Sequence, residues 1–250
     1  LSRNQWCHAP VGAANPRRFT ALDSDLILNS AVTEIERHAE WVSVSAAAGT
    51  YGARNLVVAV PLQLYEQPGL LPLLPAEQRK VLSRYRRGEV IKTVLVFERP
   101  WWRDRGLSGD ILSSGGVFNA ALDGSPADGG LGILILFATA ATAQRLSQTQ
   151  AESDRISQAI DWLRSLSGWP APNPIAARSI DWNADPWSLG GSASRRPIGG
   201  WPATPDLFAS SQRIHFAGSE TANEWRSFME GALQSAERAA EDVLCDVSTG

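Results

Sequence analysis

Cysteine is nearly absent: Cys7 and Cys245, at opposite ends of the chain, are the only two in 250 residues. That excludes a disulfide framework and any cysteine-based zinc site, and it fits a reducing compartment. Histidine is equally scarce, and His8, His38 and His215 are too scattered in sequence to announce a metal or catalytic cluster. No metal is expected. Long apolar runs are also missing. The longest uncharged stretch, Gly129 to Ala143, contains Thr139 and Thr142 and falls short of the roughly 20 residues that span a bilayer, so no membrane partner is expected. Leu1 to Pro10 carries no apolar core of the signal-peptide kind, and the expected location is cytoplasmic. An excess of positive charge is lacking too: 23 Lys and Arg against 26 Asp and Glu leave −3, which gives nucleic acid no electrostatic foothold. Methionine occurs once, at Met229, and the chain opens on Leu1. It reads as processed, trimmed, or part of something longer.

What is present is enough apolar material, 44% of residues, to fill a sizeable core in one or two domains. Residues 1–22 show no period and read as an irregular lead-in. Short strands are expected at Leu26–Leu28, Ala31–Ile35 and Trp41–Ser45, with a hairpin turn near Ala48-Gly49. Leu56 to Val60, closed by Pro61, is continuous and β-branched, the pattern of a parallel strand buried on both faces. A Pro- and Leu-rich connector follows, then a helix from Ala76 to Tyr85 and strands at Glu89–Phe97 and Leu131–Phe137. Ala151 to Leu166 has helical spacing with Ser153 placed to cap it. A loop rich in Trp, Gly, Ser and Pro covers 182–205, followed by a strand at Arg213–Ala217 and a helix at Ser227–Leu244. The order favours an α/β or mixed α+β class.

The last strand and helix carry the densest information. Ser227 with Glu230 three residues on fits a capping box, and Gly231, Ala232, Ser235 and Ala236 keep the helix slim. The first turn of such a helix offers free N–H groups and a partial positive charge to an anionic or carbonyl oxygen. By themselves these residues also fit an Ala-rich C-terminal helix docked on a sheet. Lys92 is a second anomaly, a cation inside Val90-Ile91-Lys92-Thr93-Val94-Leu95-Val96, where unpaired burial is costly. It reads as a gatekeeper on an edge strand, as a lysine that snorkels out of the sheet, or as a functional group.

The run FAGSETANEW followed by FMEGALQSAERAA, residues 216–225 and 228–240, resembles the C-terminal flavin-binding signature of the flavin-containing amine oxidases. These include the monoamine, polyamine and L-amino-acid oxidases. The resemblance implies FAD as cofactor, with Gly218, Ser219, Glu220, Trp225 and Met229 beside it, the helix start facing the pyrimidine edge of the flavin, and Val32 at the adenine. Gly88 to Lys92, with Phe97 and Pro100-Trp101-Trp102 after it, resembles the segment that bears the family's active-site lysine, so Lys92 is the implied catalytic residue. Trp182 to Ser192 resembles the loop that runs from the flavin-adjacent tryptophan to the substrate cage. It implies Trp182 at the cofactor and Trp187, Ser192 and Phe228 at the substrate. Gly191 stands where some members carry the cysteine that bonds the flavin, so noncovalent FAD is implied. Ser192 replaces one of the two aromatic walls common in amine-specific members.

The same resemblance divides the chain into part of a FAD-binding Rossmann-like domain at 1–61, a substrate domain with a mixed sheet and helices at 62–180, and the C-terminal part of the FAD-binding domain at 181–250. No G-x-G-x-x-G follows a first strand, and the cluster Gly129-Gly130-Leu131-Gly132 precedes a strand instead. The chain therefore reads as the C-terminal portion of an oxidase of amines or L-amino acids that returns electrons to dioxygen, with a second chain as one source of the missing unit. The alternatives are a noncatalytic truncated homologue or complementing subunit, and a related flavin desaturase or protoporphyrinogen-type oxidase.

Overall fold

A computed structural model describes residues 26–249, apart from 67–68, 128, 149–150, 167–170, 192–193, 196–207, 209 and 211. Two compact units emerge, one spanning residues 89–186 and the other residues 27–88 together with 187–249. The chain enters the second of these first. β1 (Val32–Arg37), β2 (Val42–Ala46) and β3 (Gly49–Ala53) form an antiparallel meander, with Ala46 paired to Gly49 across the expected hairpin turn. Residues 26–28 form no strand. Ile27 and Leu28 are exposed, so nothing holds them in a ladder.

β4 (Leu56–Val58) is shorter than the apolar run that encodes it. Its pairing is parallel, as expected, but Val57 and Val60 are exposed and only Val58 is buried, so the two-faced burial is not realised. The physical reason is that β4 belongs to a two-stranded sheet with one covered face. A 3-10 turn at Leu62–Leu64, another at Leu71–Leu73 and helix α1 (Ala76–Leu82) follow. Tyr65, Leu70 and Leu74 bury themselves in the same core as Ile35, Val42 and Val58. The compact-unit boundary accordingly falls at 88/89, well beyond the composition shift at Pro61.

The unit at 89–186 is a five-stranded antiparallel sheet. Its strands are β5 (Val90–Phe97), β6 (Ile111–Leu112), β7 (Ala120–Asp123), β8 (Gly132–Thr139) and β9 (Ala176–Asp181), in the order β6-β7-β8-β5-β9. Alternation along β5 sends Ile91, Thr93, Leu95 and Phe97 to one face, where they meet Leu134, Leu136, Trp102 and Phe118. α2 (Ala141–Ser147) and α3 (Glu152–Ser165) contribute to that core through Ala143, Leu146, Ala159, Trp162 and Leu163. Ser153 does not cap α3. The helix begins one residue earlier, after an extended Ala151, because Glu152 accepts the Ser179 N–H of β9 at 2.8 Å and so docks the helix start on the sheet. Buried Arg155 reaches the Ser179 hydroxyl, which also meets Thr93 Oγ1 at 2.8 Å.

Asp123 terminates β7 under three donors. Its carboxylate accepts from Trp102 Nε1 at 3.2 Å, Arg103 Nη2 at 2.9 Å and the Ser125 N–H at 2.8 Å. Burial pushes its pKa up, but the bonds from Ser125, Arg103 and Trp102 outweigh that and hold it below the ordinary 3.8. A depressed carboxylate pKa contributes stability above the unfolded value and loses it as pH falls through the folded one. Asp123→Asn should cost about 1–2 kcal/mol at pH 7. Urea melts of both proteins should then converge as pH drops below 3.8; a gap that stays constant would remove the charge from this account.

The chain returns to the other unit as β10 (Ile214–Phe216), fully buried and parallel to β4, and ends in α4 (Met229–Thr249). His215 is 1% exposed and tied by Nδ1 to Ser210 Oγ at 2.9 Å and by Nε2 to Asn55 Oδ1 at 3.2 Å. Among the described residues no helix is long and apolar enough to cross a membrane, and no group of three His, Cys, Asp or Glu could hold a metal ion.

Candidate functional site

β4 and β10 run parallel, and their C-terminal ends open on one cleft lined by Ala59–Leu62 and Ala217–Thr221. Ligands of open α/β sheets bind in that position, outside the carboxyl ends of the strands. At about 130 Å³ the cleft is smaller than the roughly 300–1,000 Å³ of a complete ligand pocket.

Gly218 makes the turn out of β10 at φ 113° and ψ 153°, a conformation almost confined to glycine. Its N–H donates to Ser235 Oγ at 2.9 Å, which fixes the turn to buried Ser235 of α4. A 3-10 turn at Ser219–Thr221 follows, and Arg238 donates to the Thr221 and Phe216 carbonyls at 3.0 Å each. The stretch 216–221 is thus pinned to α4 at three points.

Residues 222–228 then close a strained loop, with Trp225 at φ 49° and Ser227 at φ 71°. Such conformations persist where surrounding contacts impose them. Here the Arg226 guanidinium lies 5.8 Å from the Tyr85 ring centroid and 5.6 Å from that of Phe208, and the Ser227 N–H donates to the Ser219 carbonyl at 3.0 Å.

The expected capping box is not formed. α4 begins at Met229, the first helical bond runs from Ala232 N–H to the Phe228 carbonyl, and Ser227 stands one residue too early at positive φ. The tight turn that bonds Phe228 N–H to the Trp225 carbonyl takes precedence over the cap. Among the described residues nothing accepts from the N–H groups of Met229, Glu230 or Gly231, which leaves the positive end of a 21-residue helix open. Trp225, Phe228 and Met229 are exposed around it, with the Trp225 and Phe228 rings edge-to-face at 6.2 Å.

Glu220, at the centre of the cleft, accepts the Leu62 N–H on Oε2 at 3.2 Å and the Ser194 N–H on Oε1 at 2.5 Å. Tyr65 packs nearby with its hydroxyl buried and unpartnered among the described residues; burial, and then the Glu220 charge, hold it neutral far above the ordinary phenol range. The residues that sequence reasoning missed are those that hold the turn: Arg226, Ser235 and Arg238. Their types are ordinary on a loop and a helix, so only the fold assigns them.

The remaining expected residues are dispersed. Val32 opens β1, half exposed, where the ladder with β2 is irregular. Trp187 is exposed, and Ser192 lies outside the described residues. Gly191 donates its N–H to Gly88 at 2.9 Å, and a Cβ on neighbouring Gly190 would meet the Gly88 oxygen at 2.3 Å.

Lys92 and Trp182 belong to the unit at 89–186. β5 lies between β8 and β9, so Lys92 is not an edge-strand gatekeeper. It is exposed on the sheet face opposite the core, paired across to Phe137 and Ile180, with Nζ 5.5 Å from the Phe137 ring centroid. No carboxylate among the described residues pairs with it. Trp182 follows β9 and buries an indole N–H that has no acceptor among the described residues.

The family model for flavin containing amine oxidoreductases matches residues 12–244. An L-amino acid dehydrogenase of Synechocystis is 27% identical over 240 residues, which cover 95% of this chain and 50% of that protein. Flavin-containing amine oxidase B of Sus scrofa is 28% identical over 251 residues, covering 93% and 46%. A redesigned double mutant of putrescine oxidase superposes with a TM-score of 0.82 at 27% identity, over 92% of this chain and 51% of its own. The chain spans about half the length of the curated relatives it matches.

Proposed function

The chain belongs to the flavin-containing amine oxidoreductase family, and from that membership we propose that it supplies one side of the FAD site and the lysine-bearing sheet of an oxidase of amines or L-amino acids. The observation that carries the proposal is the open N-terminus of α4 beside the cleft at the ends of β4 and β10. The donor set fits the cofactor. An uncapped helix end accepts an electron-rich oxygen, Gly218 lets the backbone approach without a side chain, and the Ser219 hydroxyl lines the cleft; in the other unit, Trp182 has an indole N–H to give. Trp225 and Met229 supply the apolar rim, Val32 a backbone contact for the adenine, and Trp187, Ser192 and Phe228 the substrate side. Gly191 has no thiol, so attachment is noncovalent.

When bound, FAD supplies the two-electron chemistry that turns the C–N single bond of the amine into an imine and passes both electrons and two protons to dioxygen as hydrogen peroxide. The protein's own residues bind and orient. In the unit of residues 27–88 and 187–249 the open N-terminus of α4 would stabilise negative charge on the bound group, and in the other unit Lys92 would hold a proton on its exposed sheet face beside Phe137 and Ile180.

A second reading is favoured by the exposed Val57 on a two-stranded parallel sheet, since parallel sheets are ordinarily larger and covered on both faces. In that reading the chain is a complementing subunit whose FAD site closes only when further strands are added from elsewhere. A flavin titration tests both. Saturable changes in the visible spectrum, with a melt that rises with FAD concentration, are expected for the purified chain or for the chain mixed with a lysate of its source cell. Binding by the chain alone favours the first reading, binding only in the mixture the second, and no saturation in either mixture sinks both.

A further inference from the structure

The resemblance puts Glu220 at the cofactor, but its carboxylate is already committed. We infer that Glu220 is a positioning residue: a clasp that fixes the cleft wall at Leu62 and the segment at Ser194 against the Gly218-Ser219 turn, leaving the Ser219 hydroxyl as the side chain that meets the ligand. The inference deepens the flavin-site reading and rests on it for its consequence, although the clasp itself is independent of any ligand.

Both carboxylate oxygens are in use, one on the Leu62 N–H at 3.2 Å and one on the Ser194 N–H at 2.5 Å, and hydrogen bonds to an ionised acceptor are the strong ones. Each donor needs what Glu220 gives. Leu62 opens a 3-10 turn preceded by Pro61, and no side chain of its own neighbourhood caps it. Glu220 therefore acts as the N-cap of a turn 158 residues away. Ser194 stands beside Arg195, which exchanges two backbone bonds with Arg86 at 2.9 and 2.6 Å, and Gly191 holds Gly88 at 2.9 Å. Anchoring Ser194 thus supports the pairing of Arg195 with Arg86, beside that of Gly191 with Gly88.

The charge argues the same way. A carboxylate only accepts, so Glu220 suits the two N–H groups that it holds and not the oxygens of a pyrophosphate, which its charge would repel. Ser219, its neighbour on the cleft wall, has a hydroxyl with no hydrogen-bond partner among the described residues.

The test is amide hydrogen exchange on the chain without cofactor, followed by FAD titration of the same samples. Glu220→Gln keeps the shape but turns an NH2 toward one of two N–H donors, and Glu220→Asp is one methylene too short to reach both. With either change at least one of the Leu62 and Ser194 amides should exchange at least about 10-fold faster, while the Ala217 amide, held by Val58, and the Gly218 amide, held by Ser235, keep their protection. Glu220→Ala, which removes both acceptors, should speed both amides. Unchanged exchange at Leu62 and Ser194 in all three variants, or a loss confined to one of them in Glu220→Ala, overturns the clasp. FAD affinity should fall about 10-fold in Glu220→Gln and further in Ser219→Ala if Ser219 is the ligand-facing group. A larger loss in Glu220→Gln than in Ser219→Ala would make Glu220 a direct ligand and overturn the inference. Should wild type bind no flavin under any condition, the flavin reading fails while the exchange data still decide the clasp.

Discussion

Gly231→Ala should destabilise the protein by about 2 kcal/mol, although helix propensity alone predicts a gain of roughly 1 kcal/mol for that exchange in a helix interior. The two effects have opposite signs, and geometry decides between them. A Cβ at residue 231 would lie 2.3 Å from the Trp225 carbonyl oxygen and 3.0 Å from Ala222 Cβ. A backbone oxygen cannot move aside as the end of a flexible side chain can. Trp225 is fixed by its own turn bond to Phe228, by the Ser227 bond to Ser219, and by Arg226 lodged against Tyr85 and Phe208. To admit the methyl group, α4 must back away from the loop, which loosens the Gly218–Ser235 pairing as well. Thermal melts should drop by about 4–8 °C for a chain of this size. The exposed Trp225 should report the same event as a change in its fluorescence. A melt that rises would mean that the loop yields freely and that its positive-φ residues carry little strain.

Such a position also shows which part of the molecule is legible from residue order. β5 and β8 are long, eight residues each, and nearly continuous in apolar and β-branched residues, so the runs themselves announce strands. β6 has two residues and β7 four, too few to show a period, and β9 joins Arg178 and Asp181 to small residues. Only pairing with longer neighbours makes them strands. α2 was hidden inside the apolar run after Gly129, because its Ala-rich turn differs from β8 only by the sharp bend at Ala140, φ 52°. The two caps fail for different reasons. Ser153 and the Ser227–Glu230 pair satisfy the local rule, but a long-range partner, the Ser179 N–H for Glu152, sets the start of α3, and a competing local turn, Phe228 N–H to the Trp225 carbonyl, sets that of α4. In the candidate site, Gly218 and Ser219 could be read from the order strand, glycine, polar loop, helix. The commitment of Glu220 could not, since its partners are distant in sequence and are backbone groups that no residue type reveals.

Lys92→Met should slow turnover of an active flavoenzyme containing this chain by about 100-fold, at the lower end of what a positioned proton-transferring side chain contributes, while the melt stays within about 0.5 kcal/mol of wild type. The two halves of the prediction come from one placement. Lys92 Nζ lies on the exposed face of a central strand and has no carboxylate partner among the described residues, so removing its charge abandons no buried counter-ion. Its contact with the Phe137 ring, 5.5 Å from Nζ to the centroid, contributes about 0.5–1 kcal/mol as a cation–π pair, and methionine over the same ring recovers part of it. A lysine kept only to keep the sheet soluble would therefore be replaceable without loss of rate. One kept for chemistry would not, because an ammonium with three donors, flanked across the sheet by Phe137 and Ile180, is the group able to hold a water and hand on a proton. Lys92→Arg separates charge from proton transfer: a guanidinium keeps the positive field but does not give up its proton near neutral pH. If the role is proton transfer, Lys92→Arg should stay within a few fold of Lys92→Met in dioxygen consumption, with KM for the amine little changed in both. Recovery by arginine would assign the residue to electrostatics, and turnover of Lys92→Met within threefold of wild type would remove it from the chemistry.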